Sequence, residues 1–241
     1  MILKIAQMKN LLLASTSTVF GGSYLDYLLP ELNNHFKDAE RLIFIPYARP
    51  GGITHDSYTD KAREAFDNLD IEVVGLHEFN DPRAALQKAE AVFTGGGNTF
   101  LLVDQLYKND LMATLRERIF EGLPYLGTSA GTNIAGVSMQ TTNDMPIIYP
   151  PSFKTIGAVP FNINPHYLDP IEGIEHMGET RETRIAEFHH FNTIPVVGLR
   201  EGSWIAVNGK TNTLKGSLSA RIFEAGKKPY ELETGSILNF G

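Results

Sequence analysis

The sequence contains no cysteine among its 241 residues. This absence excludes disulfide bonds, zinc sites built on thiolates and a cysteine nucleophile. If the protein uses a side chain as a nucleophile, that side chain must be of another type.

Positive charge is also scarce, since 21 Lys and Arg residues face 28 Asp and Glu residues and leave a net charge of −7. This balance argues against nucleic acid or an anionic membrane surface as a partner. The apolar run at Leu11–Ala14 is too short for a membrane span or for the core of a signal peptide. We therefore expect a cytoplasmic protein with neither a nucleic-acid nor a membrane partner.

Internal repeats, low-complexity tracts and long charge runs are missing as well, so nothing in the sequence marks a domain boundary. Hydrophobic residues make up 42% of the chain and charged residues 20%, which is enough to form a sizeable core. The length suits one large α/β domain or two small ones. We expect residues 1–241 to form a single domain.

Short apolar runs alternate with helical patterns through the first half of the chain. The predicted strands are 11–14, 42–45, 71–76, 91–94 and 124–127. Strands separated by helices of this kind are typical of right-handed crossovers and a mostly parallel sheet. Loops that follow the strands should then gather at one edge of the sheet, where α/β proteins place their sites.

The second half of the chain has a different residue composition and a less regular alternation of predicted elements. Residues 141–165 are rich in Pro, Asn and Thr and predict an ordered loop region, and 178–191 predict a helix. A strand at 195–199 and a hairpin around Asn208-Gly209 follow. Segments 221–223 and 230–232 predict an antiparallel edge.

The most informative stretch is Gly127-Thr128-Ser129-Ala130-Gly131, which lies between an apolar run and a plausible helix starting at Ile134. Strand, Gly-x-Ser-x-Gly and helix in this order are typical of a nucleophile elbow. Its tight turn would strain the backbone of Ser129, expose its hydroxyl, and aim the N–H of Ala130 at an oxyanion. The alternative is a Gly/Ser-rich turn without chemistry.

A serine nucleophile needs a base, and His166 is the best placed of the seven histidines. It lies in a Pro-kinked, amide-rich segment, where functional side chains are common, although a plain loop histidine fits the same position. The pair His189-His190 with Glu187 suggests metal ligands only weakly, because adjacent residues on a helix face different ways.

Two acidic residues are candidates for orienting the base. Asp144 lies in a loop soon after the predicted elbow, whereas Glu201 directly follows the strand at 195–199, on the edge where the site is expected. Either one is also plausible as a turn-stabilising acid. The Gly95-Gly96-Gly97 loop offers a second oxyanion donor. A phosphate-binding role is the alternative for this loop, but no lysine follows it as a P-loop would require.

Five motifs occur together and in order. They are Gly95-Gly96-Gly97-Asn98-Thr99-Phe100, Gly127-Thr128-Ser129-Ala130-Gly131-Thr132-Asn133, Thr141-Thr142-Asn143-Asp144-Met145-Pro146, Asn162-Ile163-Asn164-Pro165-His166 and Gly178-Glu179-Thr180-Arg181. Their combination closely resembles the peptidase E family, the α-aspartyl dipeptidases among the serine peptidases. The resemblance extends from about Leu11 to about Phe223.

The resemblance implies a flavodoxin-like sheet related to the class I glutamine amidotransferases, with serine in place of their cysteine. It implies cleavage of small peptides that carry an N-terminal aspartate, with no metal and no other cofactor. By motif match, Ser129 is the nucleophile, His166 the base, Gly97 and Ala130 the oxyanion hole, and Arg181 the residue that binds the aspartyl carboxylate. Asp144 and Glu201 both match residues proposed as the third triad member. The motif slightly favours Asp144, and the strand-end position favours Glu201.

Three other functions stay open at this point. The first is a cyanophycinase-like hydrolase of β-aspartyl bonds from the same wider group, and the second is an esterase or lipase. His166 lies only 37 residues after Ser129, and no lid-like apolar insertion is evident, which disfavours the esterase. The third is an amidotransferase-like binding module with an inert serine. The sequence leaves the oligomeric state and the preferred second residue of the substrate open.

Overall fold

A computed structural model describes residues 9–170 and 178–240. Within these residues the strands of the larger sheet are β1 (Asn10–Ala14), β2 (Arg41–Ile45), β3 (Glu72–Gly75), β4 (Ala91–Thr94), β5 (Tyr125–Thr128), β8 (Ser203–Asn208) and β9 (Thr211–Gly216). The strands of a second sheet are β6 (Asn162–Pro165), β7 (Val196–Leu199), β10 (Ala220–Phe223) and β11 (Tyr230–Leu232).

The larger sheet has the strand order β3-β2-β4-β5-β1-β8-β9. Its first five strands in this order run parallel, and β8 and β9 add an antiparallel edge beside β1. The hairpin between β8 and β9 turns at Asn208-Gly209, where the glycine has φ +61°. The predicted mostly parallel sheet with an antiparallel edge is therefore confirmed.

Helices cover both faces of this sheet. They are α1 (Leu29–His35), α2 (His55–Phe66), α3 (Pro82–Gln87), α4 (Thr99–Lys108) and α5 (Leu111–Phe120). The short α6 (Ala130–Asn133) follows β5, and α7 (Arg181–Phe188) packs through Ile185 against Val196 and Phe223 of the second sheet. Because side chains alternate along a strand, Leu11 and Leu13 of β1 pack on the face covered by α3, α4 and α5. Leu12 and Ala14 pack on the opposite face with α1 and α2. No helix among the described residues is both long and apolar enough to cross a membrane.

The second sheet has the order β11-β10-β7-β6, and only β6 and β7 are parallel. Segments 221–223 and 230–232 are therefore strands, as predicted, but they extend this sheet and not the edge of the larger one. Ile163 of β6 and Val197 of β7 lie in the same hydrophobic cluster as Leu13 and Ile205 of the larger sheet. The two sheets thus share one apolar contact region.

Three local predictions differ from the structure. The predicted loop 141–165 ends in strand β6, whose residues are all buried. The helical spacing of Tyr24, Leu25, Leu28, Leu29 and Leu32 predicts one helix, but the structure has a 3-10 turn at Asp26–Leu28 followed by α1, which begins beside Pro30, a residue suited to a first helical turn. The helix after the elbow spans only Ala130–Asn133 and so lies before the expected start at Ile134, because the N–H groups of Thr132 and Asn133 already bond the carbonyl of Ser129.

Candidate active site

Ser129 occupies the sharp turn between β5 and α6. Its backbone has φ +53° and ψ −110°, which is an unfavourable conformation for a residue with a side chain. Small neighbours allow the turn, since a Cβ on Gly131 would lie 2.2 Å from the carbonyl oxygen of Thr94 and one on Gly127 would lie 2.5 Å from that of Gly131. The arrangement has the geometry of a nucleophile elbow.

His166 follows the last residue of β6 and also has a positive φ, +53°. Its Nε2 lies 2.8 Å from the Oγ of Ser129, within hydrogen-bond distance. The backbone N–H of His166 donates to the Oγ of Ser15 over 2.8 Å. The structure thus brings the two residues predicted as nucleophile and base into direct contact.

Glu201 follows β7, which is the parallel neighbour of β6. Its Oε1 lies 2.6 Å from the Nδ1 of His166. A carboxylate at Nδ1 favours the tautomer that carries its proton there, which leaves Nε2 free to accept the proton of the Ser129 hydroxyl. The side chains of His166 and Glu201 are 35% and 45% exposed, so a small peptide can reach the site from solvent.

Asp144 has different partners. Its Oδ2 accepts hydrogen bonds from the backbone N–H of Thr99 over 2.7 Å, from the Thr99 hydroxyl over 2.6 Å and from the Thr142 hydroxyl over 3.0 Å. These bonds attach the loop that holds Asp144 to the start of α4. The structure therefore brings Glu201, and not Asp144, into contact with the imidazole of His166.

The triglycine loop packs directly against the elbow. A Cβ built on Gly96 would lie 3.0 Å from the Cβ of Ser129, and one on Gly97 would lie 2.3 Å from the carbonyl oxygen of Ala48. The buried hydroxyl of Tyr58 donates to the carbonyl of Gly96 over 3.0 Å. In a trans peptide the N–H points opposite to the C=O, so the N–H of Gly97 points away from Tyr58. The loop thus supplies bare backbone beside the nucleophile.

Arg181 is the first residue of α7, and its Nη1 donates to the carbonyl of Pro165, next to His166, over 3.5 Å. Burial lowers the pKa of its guanidinium, and the nearby charge of Arg184 lowers this pKa further. The neighbouring acids pair with other arginines, Glu179 with Arg184 and Glu182 with Arg221. Among the described residues no carboxylate lies within 4.0 Å of the Arg181 guanidinium.

Ser15 is a neighbour of the site that the sequence reasoning passed over. It lies in the run Ser15-Thr16-Ser17-Thr18 at the end of β1, on the predicted site edge, but four successive hydroxyl residues give no sign of which one matters. The structure selects Ser15 because its side chain is fully buried and contacts the backbone of His166.

The histidine pair considered as metal ligands lies elsewhere. The Nε2 of His189 hydrogen-bonds the carbonyl of Ile194 over 3.0 Å. In the described parts of the chain no three His, Asp or Glu side chains are grouped closely enough to hold a metal ion. His176 lies outside the described residues.

The sequence of this chain matches a known protein family and several of its members. The model of peptidase family S51 matches residues 11–215. A protein named peptidase E from Streptomyces coelicolor is 50% identical over 230 residues, which cover 95% of this chain and 93% of the relative. A Drosophila melanogaster protein named a probable alpha-aspartyl dipeptidase is 45% identical over 238 residues, or 98% of each chain.

A solved structure is similar in fold. The crystal structure of a peptidase from an acI-B1 Actinobacterium superimposes with a TM-score of 0.73 over 98% of both chains, at 16% sequence identity. At this identity the likeness concerns the fold alone. It shows that the two-sheet arrangement described above is shared by another peptidase.

Proposed function

The chain belongs to peptidase family S51 and is a serine-type dipeptidase, and we propose that it hydrolyses dipeptides whose first residue is aspartate. The observation that carries this proposal is the continuous contact from Ser129 through His166 to Glu201, with Arg181 close by and without an acidic partner among the described residues. The name of the Drosophila melanogaster relative contributes the substrate class. The cytoplasmic location expected from the sequence stays a prediction.

In the first half of the proposed reaction, Ser129 attacks the carbonyl carbon of the aspartyl residue. His166 accepts the hydroxyl proton at Nε2 as the new C–O bond forms, and the carbonyl electron pair moves onto oxygen. The backbone N–H groups of Gly97 and Ala130 stabilise that oxyanion. When the oxyanion collapses, the C–N bond breaks, His166 protonates the leaving amine, and an aspartyl ester of Ser129 remains.

In the second half, water takes the place of the serine hydroxyl. His166 removes a proton from the water, which attacks the ester carbonyl, and then returns the proton to the Oγ of Ser129 as aspartate leaves. Glu201 stays ionised throughout and stabilises the imidazolium that forms in each half. Asp144 acts in this scheme only through the loop that it attaches to α4.

Arg181 is proposed to recognise the side-chain carboxylate of the substrate. A guanidinium pairs a carboxylate with two parallel hydrogen bonds, and the partial burial of Arg181 strengthens such a pair. The N-terminal position of Arg181 in α7 also favours an anion. Because the Drosophila melanogaster relative is named a probable alpha-aspartyl dipeptidase, we favour α-aspartyl bonds over the β-aspartyl bonds of a cyanophycinase-like enzyme.

The experiment that tests the proposal compares hydrolysis of Asp-Leu, isoAsp-Leu, Glu-Leu and Asn-Leu by the wild type and by Ser129→Ala. The wild type should prefer Asp-Leu, and Ser129→Ala should lose several orders of magnitude in kcat while it folds normally. If the wild type preferred isoAsp-Leu, the enzyme would be specific for β-aspartyl bonds and not for α-aspartyl bonds. If Ser129→Ala kept about a tenth of the wild-type kcat, the serine mechanism would be abandoned, and an inert wild type would favour a binding module.

A further inference from the structure

The end of β1 touches the chain segments that carry all three residues of the Ser129–His166–Glu201 contact. The carbonyl of Ala14 accepts the backbone N–H of Ser129 over 3.2 Å. The next residue, Ser15, contacts the other two segments. The last residue of β1 and the residue that follows it therefore reach the nucleophile, the base and the segment that precedes the acid.

The hydroxyl of Ser15 makes one hydrogen bond as a donor and one as an acceptor in these contacts. It donates to the carbonyl of Leu199 over 2.7 Å and accepts the backbone N–H of His166 over 2.8 Å. The backbone N–H of Ser15 donates to the carbonyl of Ser203 over 3.1 Å. The side chain is 0% exposed, so water cannot replace the hydroxyl in either bond. It is out of reach of substrate.

His166 has a particular need for such a bond. A histidine with φ +53° keeps this conformation only when its surroundings determine it, because the left-handed region is unfavourable for a residue with a Cβ. The next residue, Tyr167, donates its N–H to the same Leu199 carbonyl over 3.1 Å. Leu199 precedes Glu201 by two positions. One hydroxyl therefore fixes the backbone of the base against the strand that leads to the acid.

We propose that Ser15 is a positioning residue for the catalytic triad, with its hydroxyl holding the strained backbone of His166 so that Nε2 faces Ser129 and Nδ1 faces Glu201. This inference rests on the roles proposed above for these three residues. Ser15 touches neither the substrate nor the reacting atoms, and its effect passes entirely through His166 and Leu199.

The test is the substitution Ser15→Ala, which removes both hydrogen bonds and leaves the backbone bonds of residue 15 in place. We expect kcat for Asp-Leu to fall about 10- to 100-fold, because a misplacement of about 1 Å at a catalytic group has an effect of this size. KM should stay within about twofold of the wild-type value, since no substrate contact is lost. Ser15→Thr keeps the hydroxyl and should recover most of the lost kcat.

Two further readouts do not depend on a dipeptide substrate. The rate at which a fluorophosphonate labels Ser129 should fall with kcat, because labelling also needs the base. The downfield proton resonance of the His166 Nδ1–H bonded to Glu201 should shift or broaden in Ser15→Ala. Wild type that is labelled but does not cleave Asp-Leu would contradict the proposed substrate and leave the labelling test of Ser15 intact.

Thr155→Val is the matched control. The buried hydroxyl of Thr155 donates to the carbonyl of Gly136 over 2.8 Å, and it contacts none of the three triad residues. This variant should lower Tm about as much as Ser15→Ala does, with kcat, labelling rate and the His166 resonance unchanged. The inference is overturned if Ser15→Ala keeps kcat and labelling within about threefold of wild type and leaves the resonance in place. It is equally overturned if both variants lose activity to the same extent.

Discussion

At the level of single residues, two acidic side chains near the site, Glu201 and Asp144, have different hydrogen-bond partners. Their substitution should therefore change kcat to different extents. Glu201→Gln keeps the size of the side chain but removes the charge that favours the proton on Nδ1 of His166. We expect kcat for Asp-Leu to fall by about 10⁴, the size of effect that follows when the base takes the wrong tautomer. KM should change little.

Asp144→Asn is the comparison for that experiment. Its carboxylate bonds the start of α4 through Thr99, so the substitution should lower stability by about 1 kcal/mol, as loss of a helix cap does. Its loss of kcat should be far smaller than that of Glu201→Gln. Steady-state kinetics and thermal unfolding of both variants show which acid orients His166. Equal losses of kcat would contradict the role proposed for Glu201.

Arg181 supports a prediction about specificity. In the pocket that we propose, an Asn-Leu substrate leaves the guanidinium unpaired, which costs about 2–5 kcal/mol. Wild type should therefore favour Asp-Leu over Asn-Leu by roughly 10² or more in kcat/KM, and Arg181→Met should lose most of this preference by slowing Asp-Leu. Arg184→Met removes an exposed arginine on the same helix and should keep the preference. If Arg181→Met kept the wild-type ratio of kcat/KM for Asp-Leu over Asn-Leu, another cation would recognise the substrate.

The parts of the site that depend on local sequence could be predicted, and the long-range parts could not. Ser129 and its glycines form a turn within one short segment, and His166 lies in a recognisable motif. The pairing of His166 with Glu201 depends on the register of β6 against β7, which no local pattern contains. For the same reason the motif around Asp144 could not reveal that its carboxylate bonds Thr99.

At the level of secondary-structure elements, the triglycine loop after β4 tolerates little change. Gly97 has φ +146°, and a Cβ there would lie 2.3 Å from the carbonyl oxygen of Ala48. We expect Gly97→Ala to cost about 1–3 kcal/mol of stability and to lose most activity, because the loop must move away from Ser129. Gly51→Ala is the control, since no atom lies within 4 Å of a Cβ at that position. Thermal unfolding and kcat test both variants, and an active Gly97→Ala would contradict the role of this loop.

The sequence predicts a strand best where the buried residues of that strand are apolar. Strands β1 to β5 are short apolar runs, and the structure places them within about two residues of the expected bounds. Strand β6 was missed because two of its four buried residues are amides, Asn162 and Asn164. Asn162 exchanges hydrogen bonds with Ser138, and the amide nitrogen of Asn164 donates to the carbonyl of Thr141, whereas the buried Oδ1 of Asn164 has no hydrogen-bond partner among the described residues. A buried strand in which amides alternate with other residues carries no continuous hydrophobic signal.

At the level of the whole molecule, Arg200 connects segments of the second sheet beside the site. Its guanidinium bonds both carboxylate oxygens of Glu231 in β11, over 2.8 and 3.0 Å, and both oxygens of Asp169. Hydrogen bonds from Arg200 hold the pKa of Glu231 at about 2. Because this pKa lies below that of an unfolded glutamate, about 4.3, the ion pair contributes stability above that value. The contribution falls away as the pH drops from about 4.3 to about 2.

Glu231→Gln tests this dependence. The variant should melt below wild type at pH 7, and the difference should shrink as the pH falls and vanish near pH 2. Glu72→Gln is the control, because its partner Arg41 and Glu72 itself are 54% and 59% exposed and such pairs add little stability. Thermal unfolding followed between pH 2 and pH 7 gives the result. If the Tm difference between wild type and Glu231→Gln did not change with pH, the ion pair of Glu231 with Arg200 would not be the source of the stability.

The three residues that we propose as the triad come from two sheets and from well-separated positions in the chain. Ser129 follows a strand of the larger sheet, His166 comes 37 residues later, and Glu201 comes 35 residues after that. During synthesis the nucleophile therefore leaves the ribosome first, and a serine without its base is a weak nucleophile. In the mechanism that we propose, hydrolysis begins only when β6 and β7 have paired and packed against the finished part of the chain. A half-made copy of this peptidase would thus leave the peptides around it intact.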